Sequence, residues 1–253
     1  MRITQCYISK SVNDFPWQSV YGLTEYIDSA APCLFIGCYN EDDICAILEH
    51  ESLAVIMWCG QDSNDFPYWR LFDKPHIKHL SGGNVSAHIR NYRFCYEKKA
   101  NNLEGRIVDP VKKGDKIFVY MPKGSEQYHG KETFDKLKLN YEYIIGDGSI
   151  SQEDWRAGKA DEIYSQCFIG LFLNRYSGGV TGIVEMGVRG IKVVTNAFSL
   201  PNVINWKTTR DIETAINEES KNIGKINKKL STFVNDCLDK DFEFLNTKFY
   251  GVQ

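Results

Sequence analysis

Residues 168–196 read FIGLFLNRYSGGVTGIVEMGVRGIKVVTN, and the fold turns on how this stretch is parsed. Phe168–Leu173 has the length and bulk of a buried strand, and Tyr176–Gly179 supplies a glycine-containing turn. Val180–Arg189 then reads as a helix, stopped by Gly190 ahead of a second apolar strand, Ile191–Thr195. Within the helix, Val180, Ile183, Val184, Gly187 and Val188 recur at the i, i+3, i+4, i+7, i+8 spacing of one buried face. Gly187 would let the helix approach a sheet closely, and Glu185 falls off the buried face. A helix whose first turn carries small residues presents unpaired N–H groups to an anion. A carboxylate on its second turn is placed to reach a sugar hydroxyl beside that anion, so the stretch describes a nucleotide-diphosphate site.

The same strand–helix rhythm extends in both directions. Upstream come a strand at Ile117–Met121, a loop at Pro122–Gly130, a helix at Lys131–Leu137, a strand at Tyr143–Ile145, a loop at Gly146–Gly148 and a helix over about Glu153–Ser165. Downstream, Ile212, Ala215 and Ile216 make one helical face, and Ile223, Ile226, Leu230, Phe233, Val234 and Leu238 make another. The N-terminal half offers strands at Ile3–Ile8, Cys33–Cys38, Leu53–Cys59, His76–Leu80 and Arg93–Tyr96. Between them lie a short helix over about Ser19–Ile27, a helix through Ile44, Ile47 and Leu48 capped by Asn40 or Asp42, a turn at Gly82–Asn84 and a short helix at Val85–Arg90. Such alternation predicts βαβ units and parallel sheets. The pattern lapses between Lys98 and Asp115, in KKANNLEGRIVDPVKKGD, which divides the chain into domains at 1–108 and 109–253. The expected architecture is α/β, with two Rossmann-like domains facing a cleft and ligands at the carboxyl ends of the strands.

Composition narrows the function. The 253 residues are 43% hydrophobic and 13% aromatic, sufficient for sizeable cores. A formal net charge of −3 lacks the basic footprint of a nucleic-acid-binding protein. The eight cysteines contain no CxxC pair and several sit in apolar runs, which predicts mostly buried, reduced thiols and no metal site. No apolar run approaches the ~20 residues of a membrane span, and no signal-peptide core opens the chain. A soluble, cytoplasmic protein is expected, with no nucleic-acid partner and no integral membrane segment.

The segment ADEIYSQCFIGLFLNRYSGGVTGIVEMGVRGIKVVTN, preceded by KIFVYMPKG and IIGDG, resembles the donor-binding half of GT-B glycosyltransferases. The resemblance covers about residues 115–210, while the N-terminal half matches only in rhythm. It implies that Glu185 binds the ribose hydroxyls of a nucleotide-sugar. It also implies that Gly178, Gly179, Val180 and Thr181 present backbone N–H groups to the diphosphate, Thr181 adding its hydroxyl. Lys123 would neutralise phosphate charge, Arg175 is a second cationic candidate, and Gly146–Gly148 would border the nucleobase. Many retaining members carry two glutamates separated by seven residues, and the position of the first is held here by Ser177. Ser177 supplies no carboxylate, so the resemblance does not assign stereochemistry.

The activity implied is transfer of a sugar from a nucleotide-diphosphate sugar to a glycan or other hydroxyl acceptor, with no cofactor and no metal. Inversion requires a base for the acceptor hydroxyl, and Asp62, just past a strand end in WCGQDS, is the first candidate, with His88 and Asp14 as rivals. An Asp in such a turn also commonly caps backbone N–H groups. His129 in QYHGK is either a ligand contact or an ordinary loop histidine, and Phe66, Tyr68, Trp69 and Phe72 either stack on an acceptor sugar or pack a loop. A non-catalytic nucleotide- or glycan-binding module of the same fold, or a sugar-nucleotide epimerase, are the alternatives.

Overall fold

A computed structural model describes residues 2–12, 18, 21–59, 62, 68–71, 74–81, 95–97, 108–151, 154–174, 180–196 and 200–238. The expected turn at 82–84 and helix at 85–90 lie outside these residues. The chain forms two compact units, whose described parts fall within 2–97 and 108–238. Each is α/β with a wholly parallel, Rossmann-like sheet.

The first unit contains β1 (Gln5–Ile8), β2 (Thr24–Glu25), β3 (Cys33–Ile36), α1 (Glu41–Leu48), β4 (Ala54–Met57), β5 (Ile77–Ser81) and β6 (Cys95–Glu97). Its sheet runs in the order β2-β1-β3-β4-β5-β6, with Gln5 opposite Cys33 and Cys33 opposite Ala54. The tetrads CLFI and AVIM of β3 and β4 are buried throughout, as expected for strands covered on both faces. Phe35 and Ile56 join Ile44 and Ile47 of α1 on one side, and Leu34, Ile36, Val55 and Met57 fill the other. Asn40 is the N-cap of α1, in a reciprocal capping box with Asp43. The helix expected across Ser19–Ile27 is replaced in part by β2, which pairs with β1 at the sheet edge. Two residues of edge pairing carry too little pattern to be read from sequence.

The second unit contains β7 (Lys116–Tyr120), α2 (Lys131–Phe134), β8 (Tyr143–Gly146), α3 (Ala160–Tyr164), β9 (Cys167–Leu171), α4 (Val180–Val188), β10 (Lys192–Val194), β11 (Val203–Ile204), α5 (Thr209–Ser220) and α6 (Lys228–Cys237). Its sheet order is β11-β10-β9-β7-β8. In both units the second strand lies outside the first and the later strands build on the other side. The order therefore reverses between β1 and β3 and again between β7 and β9, the places where open α/β sheets bind ligands.

Three departures from the expected elements matter. The helix expected over Glu153–Ser165 is present but kinked: a wide helical turn, Trp155–Lys159, runs into α3, and the kink falls at Gly158, whose φ of +124° is a conformation that side chains rarely adopt. The segment through Leu238 does not form one apolar face. Leu230, Val234 and Leu238 are buried, whereas Ile223, Ile226 and Phe233 are 37%, 50% and 49% exposed. Helix α4 has no solvated side along its second half, since Ile183, Val184, Glu185, Met186, Val188 and Arg189 are all buried. Ser231 of α6 donates a hydrogen bond to the Val188 carbonyl at 2.5 Å, sealing the side away from the sheet. Close helix–sheet contact is provided by Gly170, where a Cβ would stand 2.5 Å from Met186 Sδ, and by Gly182, where it would meet the Phe172 ring at 2.9 Å. Gly187 instead makes room for Asn202, whose amide donates to the Ile183 carbonyl at 2.9 Å.

Among the described cysteines, Cys6, Cys33, Cys38 and Cys167 are buried free thiols, while Cys237 is exposed. Burial pushes the Cys6 thiol up to about 11. No described helix is long and apolar enough to cross a membrane.

A buried ion cluster ties the start of this unit to α5. Glu219 accepts from Lys113 at 3.0 Å and from Lys192 at 2.7 Å. Burial alone would raise the Glu219 carboxyl, but the two lysines outweigh it and hold it below the ordinary range. Glu219→Ala strands the buried Lys113 and is expected to cost about 3 kcal/mol in urea unfolding. In the wild type the stabilisation from this carboxylate is complete above the unfolded pKa of about 4.3 and is lost as pH falls through the lower folded value. The alanine variant should lack that component of the acid-side stability loss.

Candidate functional site

At the reversal in the second unit, β7 ends at Tyr120 and β9 at Leu171. Gly130, at φ +84°, closes the loop after β7 against the chain after β9, and a Cβ there would lie 2.5 Å from the Leu173 carbonyl oxygen. Only glycine fits this approach. It leaves the neighbouring His129 only 8% exposed, edge-on to Tyr120 at 5.0 Å and to Tyr128 at 5.1 Å. Its Nδ1 has no hydrogen-bond partner, and burial lowers its pKa, so it is a neutral imidazole at pH 7. Tyr120 also stacks on Phe172 at 5.4 Å. Its hydroxyl is raised by burial and then by the charge of Glu185.

Glu185, on the second turn of α4, is 5% exposed. Its Oε2 accepts from the Trp155 indole at 2.9 Å and the Tyr164 hydroxyl at 3.0 Å. Tyr164 is edge-on to Trp155 at 5.3 Å and lies under the Arg189 guanidinium, also at 5.3 Å. Arg189 is fully buried and bonds Asp161 at 2.7 Å and the Glu185 carbonyl at 2.9 Å. The sequence places Glu185 off the buried face. The structure corrects this, because neighbours enclose α4 on the face that periodicity alone assigns to solvent.

Val180 opens α4 and Thr181, half-buried, follows on its first turn. Lys123 is exposed on the loop after β7, and its backbone N–H donates to the Asp147 carbonyl at 2.9 Å. That bond joins the Lys123 loop to Gly146–Gly148 after β8. Asp147 is lowered first by hydrogen bonds from Ser149 and last by the charge of Lys123. Arg175, Ser177, Gly178 and Gly179 lie outside the described residues, as do His88, Asp14, Phe66 and Phe72; for Tyr68 and Trp69 only the backbone helical turn is described.

Asp62 belongs to the first unit and is 1% exposed. Its carboxylate accepts from the Cys38 N–H at 3.1 Å and, through both oxygens, from the Cys59 N–H at 3.1 Å, bridging the chain after β3 to the chain after β4. Asp43 does comparable work after β1 and β3. It accepts from Ser9 Oγ and the Tyr39 N–H at 2.8 Å, the Tyr7 hydroxyl at 3.0 Å and the Asn40 N–H at 3.2 Å. Bonding to Asp43 and burial together push the Tyr7 hydroxyl up to about 12, burial being the larger cause.

No group of three or more His, Cys, Asp or Glu among the described residues is arranged to hold a metal ion. Compared with known proteins, the chain matches no family model and no curated protein sequence.

Sequence reading misses Trp155, Tyr164, Tyr120 and Asp43. Tyr120 carried a usable signal, as the last residue of KIFVY at a strand's carboxyl end. Trp155 and Tyr164 did not, since Gly158 breaks the helical phase between them.

Asp62→Asn leaves one acceptor oxygen where the carboxylate had two. It should cost about 1–3 kcal/mol in denaturant unfolding. Loss of activity without loss of stability would instead assign Asp62 to proton transfer.

Proposed function

We propose that the protein is a GT-B-type glycosyltransferase that takes a sugar from a nucleotide-diphosphate sugar and passes it to a glycan or other hydroxyl acceptor. The observation that carries this reading is the buried, doubly hydrogen-bonded Glu185 on the second turn of α4, beside Tyr120, at the β7–β9 reversal. The bonds from Trp155 and Tyr164 fix the carboxylate's orientation, which is what recognition of a ribose diol requires. In this reading the amino end of α4 and the Lys123 ammonium stabilise the charge that develops on the departing diphosphate. Val180 and Thr181, which open α4, supply backbone donors; Arg175, Ser177, Gly178 and Gly179 are assigned to the same nucleotide-sugar by the sequence resemblance. The neutral imidazole of His129 offers its unpartnered Nδ1 to the ligand.

A non-catalytic nucleotide- or glycan-binding module of the same fold is the second reading. It is favoured by one observation: Asp62, the foremost base candidate, spends its carboxylate on backbone N–H groups.

A thermal-shift panel of nucleoside diphosphates and nucleotide-sugars tests the site, because a ligand at 100 times its Kd stabilises the folded state by about 2.7 kcal/mol. At least one nucleoside diphosphate should raise the melting temperature, and no response across the panel would overturn the reading. Lys123→Gln should weaken that ligand about five- to tenfold with unchanged melting of the free protein. His129→Phe should leave the free protein equally or more stable, since it removes an orphaned buried polar atom, while lowering ligand affinity. Binding with transfer to an acceptor identifies the enzyme; binding with no turnover of any nucleotide-sugar identifies the module.

A further inference from the structure

Residues 221–233, KNIGKINKKLSTF, contain four lysines and no acidic residue in a chain whose formal net charge is −3. They form the turn after α5 and the first two turns of α6. Lys221, Lys225, Lys228 and Lys229 are exposed; Lys221 pairs with Glu218 at 2.7 Å. Interleaved with them are Ile223, Ile226 and Phe233, which are 37%, 50% and 49% exposed. Leu230, Ser231 and Val234 of α6 face inward, so Lys228, Lys229 and Phe233 lie on its outer side, while Ile223 and Ile226 belong to the turn before it. Lys229 and Phe233 are four residues apart on α6 and so share one side of it, and the Lys229 ammonium sits 5.5 Å from the Phe233 ring centre. Lys112, also exposed, extends the surface, since it is directly opposite Ile226 in an antiparallel bridge and opposed residues project to the same side.

We infer that this surface docks on the anionic face of a lipid bilayer, with Ile223, Ile226 and Phe233 entering the headgroup–acyl boundary and the lysines engaging lipid phosphates. Lysine stems lie along apolar surface while their ammonium groups reach outward, and apolar side chains ringed by lysines are the composition of interfacial binding. A nucleic acid would use the lysines but gain nothing from Ile223 and Ile226. A second copy of the chain, meeting this face about a two-fold axis, would set lysine against lysine.

The test is flotation of the full chain with vesicles of phosphatidylcholine alone and of phosphatidylcholine mixed with phosphatidylglycerol. The protein should float with the mixed vesicles only, and added salt should weaken binding. The double substitution Ile226→Ser, Phe233→Ser should lower partitioning about tenfold or more with unchanged thermal melting, both side chains being exposed. Lys225→Gln, Lys228→Gln and Lys229→Gln together should abolish the preference for phosphatidylglycerol. The inference is overturned if the wild type does not float with the mixed vesicles or if both variants float as it does. It is also overturned if light scattering shows a dimer that the same substitutions dissociate, or if the protein binds RNA in place of vesicles.

Discussion

Where a parallel strand stops, the chain leaves the ladder and its next N–H groups need acceptors, because a buried amide without one costs as much as a lost hydrogen bond. In the first unit two carboxylates meet that need. Asp62 holds the chain after β3 to the chain after β4, and Asp43 gathers Tyr7, Ser9, Tyr39 and Asn40 around the start of α1. The geometry of the carboxyl edge, and the point at which α1 begins, depend on these two side chains. Their oxygens are occupied by structure, so a carboxylate at a strand end is not by itself a sign of acid–base chemistry.

The second unit uses its buried carboxylate differently. Glu185 is oriented by two side-chain donors, Trp155 and Tyr164, rather than spent on the chain after a strand. An aromatic row of Tyr120, Phe172 and His129 borders the same reversal. In the proposed reading, the helix amino end would meet the phosphates of the donor and the oriented carboxylate its hydroxyl groups.

Charged groups inside the second unit fasten its elements to one another. Arg189 joins α4 to Asp161 of α3, and Glu219 gathers Lys113 and Lys192 onto α5. Burying charges is tolerable because each is paired and hydrogen-bonded, and removal of one partner leaves the other uncompensated. Such ties resist rearrangement more than they add net stability.

The strands were legible wherever four or more apolar residues run together, as in CLFI, AVIM, KIFVY and CFIGL, because a strand covered on both faces needs no alternation. Helix α4 was legible from its period and from Gly190. The two-residue strands β2 and β11 were not, since edge pairing is decided by the neighbour and not by local pattern. By itself the sequence determined the two parallel α/β units and the helix carrying Glu185. Only the tertiary structure decided that Glu185 is buried, that Trp155 reaches it and that Phe233 faces outward. A helical period states which residues share a side, whereas burial depends on how many sides neighbouring elements cover, and Gly158 and α6 set that from outside the helix.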